Sequence, residues 1–220
     1  MVKQNTRELY RKRARRYDLA MWLYRLAGFR INHYRRLTVA ALSLFTGDTV
    51  VDLACGTGLN FSYLEQAVGE EGRIIGVDLT EAMLDQARKR VKAAGWQNVD
   101  LVQADLAQYA FPDGVAGVLS TLAITLVPQY DDVIGRAAQA LQPGGRLAVF
   151  DFKEPDNWPA WLVRFAVWIN KPYGVSLDLA DRHPWESIRA YLREVTFREF
   201  YFGALYLSVG EVPIQDQLVE

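Results

Sequence analysis

Residues 50–60 read VVDLACGTGLN, and residues 73–79 read RIIGVDL. Both begin with an apolar run of the kind that forms a buried strand, and the first run leads into a turn with Gly56 and Gly58. The second run ends on Asp78. A strand, a glycine turn, a helix and a second strand ending on an acid are the geometry of a βαβ nucleoside site. In such a site the acid accepts hydrogen bonds from the ribose hydroxyls.

Two residues separate this loop from a dinucleotide site. Asp52 is an acid at the end of the first strand, and the stretch after Gly58, which includes Asn60, has no third glycine of the dinucleotide fingerprint. A carboxylate there would repel a pyrophosphate but would suit a cation. S-adenosylmethionine carries adenosine, an ammonium and a sulfonium and has no phosphate, so the pattern predicts a site for this methyl donor. A nicotinamide-dependent dehydrogenase is the alternative, and it leaves Asp52 unexplained.

These segments resemble motifs I and II of the class I S-adenosylmethionine-dependent methyltransferases. VQADL at residues 102–106 resembles the family's third-strand acid, which meets the adenine amino group, and LQPGGRL at residues 141–147 resembles the turn before its fifth strand. The family usually has glycine where this chain has Ala54, so the alanine asks for an unstrained φ. The resemblance implies a cofactor site formed by Asp52, Ala54, Gly56, Gly58, Asp78, Leu79, Met83, Asp105 and Leu106.

The resemblance and the residue pattern together predict an α/β, Rossmann-like class I methyltransferase fold. We expect a mostly parallel seven-stranded sheet with helices on both faces and a C-terminal antiparallel hairpin. The expected strands are Thr49–Leu53, Arg73–Val77, Val99–Gln103, Gly117–Leu122, Arg146–Phe150, Thr196–Phe202 and Ala204–Val209. The expected helices are several within residues 5–45, then Leu59–Val68, Glu81–Ala94 with Thr80 as its N-cap, and Tyr130–Leu141.

The chain of 220 residues is expected to be one domain with three parts. Residues 1–46 would form a basic, aromatic helical cap, residues 47–155 the cofactor-binding core, and residues 156–220 an acceptor lid and the hairpin. Cys55 is the only cysteine, which excludes an intrachain disulfide and a Cys/His metal cluster, so we expect no metal cofactor. A reducing cytoplasmic setting fits best, and the basic segment adds an expectation of attachment to the inner membrane face.

Charge is concentrated at the N-terminus. Residues 1–36 carry eleven Lys or Arg against two acids, Glu8 and Asp18, a net of +9 in a chain whose overall net charge is −1. Such segregation predicts a polyanionic partner, either nucleic acid or an anionic lipid surface, although a solvated helix face would have the same composition. Residues 158–169, WPAWLVRFAVWI, are too few to span a bilayer but suit an interfacial helix or an apolar lid, with core packing as the alternative. Together the two segments favour lipid over nucleic acid.

The acceptor is predicted from a second resemblance. Tyr10, Tyr17-Asp18 and Asp151-Phe152-Lys153 resemble bacterial lipid headgroup N-methyltransferases of the phosphatidylethanolamine and diacylglycerylhomoserine groups, and the tyrosine motif also resembles the quinone-biosynthesis C-methyltransferases. We therefore expect N-methylation of a lipid amine, with C- or O-methylation of a prenylated quinone precursor or another small apolar acceptor as the alternative. The predicted catalytic residues are Tyr10 and Tyr17, which would orient the amine unless both pack on the core.

Other assignments remain open at this stage. His183 is an alternative base, although a lone histidine in a turn is more often structural. The acyl chains of a lipid acceptor would contact Trp158, Trp161, Phe165 and Trp168. An RNA methyltransferase recruited through its basic segment and a non-catalytic protein that binds S-adenosylmethionine are further alternatives.

Overall fold

The computed structural model describes residues 30–155, 158–170 and 179–214. The predictions for Tyr10, for Tyr17 and for most of the basic segment lie outside these residues. Within the described part, no helix is both long enough and apolar enough to cross a lipid bilayer.

A seven-stranded sheet forms the centre of the protein. Its strands are β1 (Thr49–Leu53), β2 (Arg73–Asp78), β3 (Val99–Gln103), β4 (Val115–Thr121), β5 (Leu141–Phe152), β6 (Arg193–Phe200) and β7 (Leu205–Glu211). They lie in the order β3-β2-β1-β4-β5-β7-β6. The first five strands are parallel, and β7 is antiparallel to both β5 and β6. The predicted fold with its C-terminal hairpin is confirmed.

Helices cover both faces of this sheet. They are α1 (Ile31–Ala41), α2 (Phe61–Val68), α3 (Glu81–Ala94), α4 (Tyr130–Ala140), α5 (Ala160–Asn170) and α6 (Pro184–Tyr191). Side chains of α1, α2 and α3 pack in one apolar cluster with the sheet, and those of α4 and α6 pack in a second one. Because both faces are covered, the central strands β1 and β4 are apolar on both sides, as their sequences predict.

Several boundaries differ from the sequence-based expectation. Strand β5 begins at Leu141 instead of Arg146, because Leu141 already pairs with Val115 before the register shifts to Gly117 and Arg146. Helix α4 therefore ends one residue early. The short helix α6 was not predicted; it begins with Pro184 at its first turn and buries Trp185 and Ile188.

Three local expectations about helix starts and turns also differ from the structure. Helix α2 begins at Phe61 because Leu59 and Asn60 still belong to the turn. Helix α3 has the predicted bounds, but the Thr80 side chain makes no capping hydrogen bond. The hairpin turn covers residues 201–204, not Gly203 alone.

The sheet has one edge at which the parallel strands all end. From β1 the chain crosses to β2 on one side, whereas β4 lies against the other side of β1. Ligands of open α/β sheets bind at such a switch point, outside the carboxyl ends of the strands. The residues that follow β1, β2 and β4 therefore lie where a ligand of this fold would bind.

Candidate active site

The loop between β1 and α2 is built from left-handed backbone. Ala54, Gly56 and Gly58 have φ angles of +52°, +57° and +76°. A Cβ on Gly58 would lie 2.5 Å from Cε2 of Phe61, so glycine allows α2 to pack closely on the loop. The expectation of an unstrained φ at Ala54 is wrong, because an alanine in left-handed backbone costs about 1–2 kcal/mol.

Asp78 holds this loop from the end of β2. Its Oδ2 accepts the Gly56 N–H at 3.0 Å, and its Oδ1 accepts the Thr80 N–H at 2.8 Å. Burial raises the pKa of this carboxyl, whereas the two backbone donors act in the opposite direction. A carboxylate offers about four acceptor positions, so two bonds leave capacity for ligand hydroxyls.

Asp52 lies fully buried at the end of β1. Both of its oxygens accept hydrogen bonds from Nδ2 of Asn60, at 3.0 and 3.1 Å. The same Nδ2 lies 3.2 Å from Oγ1 of Thr121 at the end of β4. Burial raises the pKa of Asp52 to about 7, although Asn60 and Arg35 act to lower it. The hydrogen-bond partner of this carboxyl is a neutral amide, so no cation of the described residues bonds to it directly.

Arg35 of α1 completes the buried network. Its Nη1 donates to Oδ1 of Asn60 at 2.8 Å and to Oγ1 of Thr121 at 2.7 Å. The side chain is only 4% exposed, whereas the neighbouring Arg36 is exposed. The prediction that residues 1–36 act as one basic surface is therefore wrong for Arg35, because this guanidinium points into the site.

The other predicted cofactor residues follow β2 and β3, which are neighbours in the sheet. Asp105 Oδ1 accepts the Ala107 N–H at 3.0 Å, and Leu106 and Met83 are buried. Leu79 is half-buried. Their contact with a cofactor stays a prediction. The described residues contain no group of three or more His, Cys, Asp or Glu side chains that could hold a metal ion.

Comparisons with known sequences identify the family of this chain. Residues 50–145 match the family model of a methyltransferase domain. Over 209 residues the chain is 32% identical to the ubiquinone/menaquinone biosynthesis C-methyltransferase UbiE of Azotobacter vinelandii, covering 90% of this chain and 80% of that protein. The chain belongs to the class I S-adenosylmethionine-dependent methyltransferases.

Two further similarities support less, because one covers a smaller part of the chain and the other has a low sequence identity. The demethylmenaquinone methyltransferase of Listeria welshimeri is 32% identical over 129 residues, which are 58% of this chain, and the chain spans only 54% of the length of that relative. The solved structure of geranyl diphosphate C-methyltransferase from Streptomyces coelicolor A3(2) superposes with a TM-score of 0.65 at 16% identity, covering 81% of this chain and 78% of that one. At that identity the likeness shows the fold alone.

In this methyltransferase, a second group of polar residues lies beyond β4, at the same edge of the sheet. Arg182 Nη1 donates to the Thr125 carbonyl at 2.7 Å, and the His183 N–H donates to Oη of Tyr130 at 3.3 Å. His183 Nδ1 lies 3.4 Å from Oε1 of Glu186. The predicted alternative base therefore lies at the cofactor edge of the sheet, where a carboxylate can orient it.

Asp151 anchors the loop that follows β4. Its Oδ2 accepts the N–H groups of Ala123 and Thr125, at 3.1 and 3.0 Å, and its Oδ1 accepts the Phe152 N–H at 2.8 Å. Burial raises the pKa of this carboxyl to about 6, against the effect of these donors. Three backbone bonds account for its burial, so we assign it to the architecture of the site.

The tryptophan segment forms α5 and faces outward. Trp161 and Trp168 are each 69% exposed, and Arg164 between them is exposed as well. Core packing is therefore wrong for these two tryptophans, whereas Trp158 is half-buried. The predicted contact with Phe165 lies outside the described side chains.

Arg35 and Thr121 are the site residues that the sequence reasoning missed. Arg35, Thr38, Val39 and Leu42 recur at the three- and four-residue spacing of one helix face, and all four are buried. That spacing was the available signal, hidden within a run of basic residues. Nothing in the sequence distinguishes Thr121 from the other polar residues that end buried strands.

Proposed function

We propose that the protein transfers a methyl group from S-adenosylmethionine to a carbon atom of an apolar aromatic acceptor of the prenylated quinone-precursor type. The observation that carries this proposal is the 32% identity to the UbiE C-methyltransferase over 90% of this chain. The Listeria relative, itself named a demethylmenaquinone methyltransferase, supports the same acceptor class.

The residues of the site fit the methyl donor. Asp78 has unused acceptor capacity for ribose hydroxyls, and Asp105 follows the neighbouring strand for the adenine amino group. Asp52 offers a buried carboxyl to a cationic group. A Cβ on Gly56 would meet no atom within 4 Å, so the backbone there is open to close approach by a ligand. All of these residues lie at the carboxyl edge of the sheet, and together they match the chemical groups of S-adenosylmethionine.

Methyl transfer requires mainly that the acceptor atom be aligned with the methyl–sulfur bond of the donor. S-adenosylmethionine, when bound, supplies an electrophilic methyl group on a positively charged sulfur. The acceptor's ring carbon forms a bond to that methyl carbon while the carbon–sulfur bond breaks, the electron pair stays on sulfur, and a proton leaves the ring. The chain's own task is to hold the acceptor in line and to exclude water.

A base has to accept the proton that the acceptor loses. Histidine is the side chain that most often does this in enzymes. We assign the role to His183, because its backbone contacts Tyr130, at the start of the helix that follows β4, and its ring faces Glu186. Tyr10 and Tyr17 lie outside the described residues, so their predicted role in orienting an acceptor stays a prediction.

The expected N-methylation of a lipid amine has less support than this alternative. The relatives described above are named for quinone substrates. The aromatic cage for a methylated cation would depend on Tyr10 and Tyr17. An apolar acceptor would still reside in a membrane, so attachment through the basic residues of 1–36 other than Arg35 remains part of the proposal.

Incubation with labelled S-adenosylmethionine and purified acceptors tests the proposal. We expect label in a demethylated prenyl quinol and none in phosphatidylethanolamine, as resolved by mass spectrometry. Asp78→Ala should lose most of the incorporation, because the ribose loses its charged acceptor, whereas Asp113→Ala, in an exposed loop, should retain it. Label in phosphatidylethanolamine alone would refute the quinone assignment and restore the lipid amine.

A further inference from the structure

The hairpin turn between β6 and β7 exposes an aromatic side chain on strained backbone. Tyr201 and Phe202 both have positive φ, and the Phe202 side chain is 91% exposed. Strained backbone of this kind clusters at functional sites. The described residues leave the ring uncovered, so a contact outside the chain would explain why a strained aromatic residue stands at this position.

The hairpin turn lies at the cofactor edge of the sheet. β7 is antiparallel to β5, and Leu205 at the start of β7 pairs with Phe152 at the end of β5. A Cβ added to Gly203 would lie 3.6 Å from Cα of Pro155, so the turn also packs against the segment that leaves β5. The carboxyl end of β5 is at the same edge as those of β1, β2 and β4. Phe202 is therefore exposed at the edge of the sheet where an acceptor has to meet the methyl donor.

Two phenol hydroxyls and a guanidinium lie at the base of the hairpin turn. Oη of Tyr201 accepts the Arg30 N–H at 3.2 Å, and Arg30 is exposed. The ring centroid of Tyr34 lies 5.7 Å from that of Tyr201. Burial and the hydrogen bond to Tyr201 raise the pKa of Tyr34, whereas the nearby charge of Arg30 acts to lower it. Tyrosine hydroxyls and arginine suit the headgroup level of a bilayer, and a phenylalanine ring suits the boundary with the acyl chains.

The charges near the hairpin turn leave a small positive excess. Arg30 and Arg198 are exposed cations, and Glu154 is an exposed acid. The carboxylate of Glu199 is paired with Nζ of Lys153 at 2.8 Å. This excess is complementary to anionic lipid, but most of the binding at this place has to come from the apolar ring.

We propose that the hairpin turn inserts the Phe202 ring into the boundary between the headgroups and the acyl chains of a lipid bilayer. Inserted there, the ring holds the cofactor edge of the sheet against the membrane. This inference rests on the proposed function, because a prenylated acceptor would then reach the methyl donor from the bilayer without crossing water. The contact differs from that of the basic segment, since it depends on apolar surface and on one turn.

Flotation with mixed phosphatidylcholine and phosphatidylglycerol vesicles tests the insertion. NaCl at about 500 mM screens the contribution of exposed charges. We expect Phe202→Asn to bind roughly 10-fold more weakly than the wild type, as for partial burial of a phenylalanine side chain. Asn is favoured before glycine in a hairpin turn with positive φ, so the fold is retained. Phe45→Asn is the matched control, because Phe45 is 75% exposed but precedes β1, at the opposite edge of the sheet, and this variant should bind like the wild type.

Methyl transfer gives a second readout. We expect Phe202→Asn to lose transfer to a prenyl quinol embedded in vesicles by about the same factor as it loses binding. Transfer to a quinol without the prenyl chain, dissolved in water, should stay at the wild-type rate, because that acceptor does not depend on the membrane.

The two readouts separate the possible outcomes. Equal binding of the wild type and Phe202→Asn, or an equal loss in Phe202→Asn and Phe45→Asn, overturns the proposal. A dimer in size-exclusion chromatography that Phe202→Asn dissociates also overturns it, because a second copy of the chain would then cover the ring. Vesicle binding that depends on Phe202, in a protein that methylates no quinol, would support the insertion and refute the proposed acceptor instead.

Discussion

Two buried carboxyls make the stability of the cofactor-free protein depend on pH. Burial raises the pKa of Asp52 to about 7 and that of Asp151 to about 6. An aspartate in the unfolded chain has a pKa of about 3.9. The folded protein therefore binds these protons more tightly, and the stabilisation is fully present below about pH 4 and is lost as the pH rises through about 6 to 7.

We expect the melting temperature of the cofactor-free protein to fall between pH 5 and 7.5. Between pH 6 and 7 most of the slope comes from Asp52, up to about 1.4 kcal/mol per pH unit, so Asp52→Asn should flatten it. Thermal melts followed by circular dichroism measure this slope. Asp113→Asn changes an exposed carboxyl and should keep the wild-type slope. A wild-type slope in Asp52→Asn would mean that Asp52 is already ionised in the fold.

Ala54 offers a test of backbone strain beside the cofactor. Its φ is +52°, which glycine adopts without cost. We expect Ala54→Gly to stabilise the protein by roughly 0.5–1 kcal/mol, because relief of strain exceeds the added entropy of the unfolded chain. Urea denaturation measures the change. Ala67→Gly in the last turn of α2 has no positive φ to relieve and should destabilise by up to about 1 kcal/mol, so a loss in both variants would contradict the strain at Ala54.

At the residue scale, prediction from sequence worked where a side chain's role follows from its place on a strand. Asp52 and Asp78 end apolar runs, and parallel strands bring such ends to one edge. Arg35 has the same chemistry as Arg36 beside it, and only the helix face decides which one is buried. The composition of the segment does not distinguish the buried Arg35 from the exposed Arg36, whereas the three- and four-residue spacing of the buried helix face does.

At the scale of elements, the hairpin turn between β6 and β7 holds unusual strain. Tyr201 and Phe202 have φ angles of +51° and +56°, next to Gly203 at +88°. The Ala204 N–H donates to the Tyr201 carbonyl, so Phe202 and Gly203 are the two central residues of this turn. Positive φ at both central residues is typical of a type I′ turn, in which Asn-Gly is the favoured pair. The Phe202 side chain is 91% exposed, so no burial compensates for its backbone.

We expect Phe202→Asn to stabilise the protein by about 1 kcal/mol, because it pairs Asn with Gly203 in this turn and removes a strained aromatic residue. Urea denaturation of the two proteins gives the difference. Phe45→Asn is the matched control, since Phe45 is 75% exposed but has no positive φ. An equal gain in both variants would assign the effect to lost apolar surface instead of backbone strain.

The elements that the sequence predicted best are those with strong periodicity and clear ends. β1, β3 and α3 have the predicted bounds: β1 is a short apolar run that begins after Gly47-Asp48, β3 ends on Gln103, and α3 lies between Thr80 and Gly95. β5 was predicted too short because Pro143 and the glycines after it look like a turn, whereas the chain uses them within an irregular strand pairing. The start of β5 depends on the pairing of Leu141 with Val115, which are far apart in the chain. A single sequence does not reveal such a long-range pair.

At the scale of the whole molecule, two segments of the chain have a composition that suits contact with a membrane. One is the basic segment, residues 1–36, in which Arg35 does not contribute because it is buried. The other is the outward face of α5 with Trp161. Attraction between exposed charges and anionic lipid is screened by salt, whereas insertion of a tryptophan at the headgroup level is not. Ionic strength can therefore separate the two contributions.

Vesicle flotation measures both contributions. We expect binding to phosphatidylglycerol vesicles to fall as NaCl rises from about 50 to 500 mM, and Arg11→Gln with Lys12→Gln to weaken it chiefly at low salt, by about 1 kcal/mol per removed charge. Lys89→Gln with Lys92→Gln removes the same charge from the exposed side of α3 and should bind like the wild type. Trp161→Ala should weaken the binding at both salt concentrations. Equal binding of all four proteins, or equal binding to neutral and anionic vesicles, would show that the basic segment is only a solvated helix face and that the acceptor reaches the enzyme by another route.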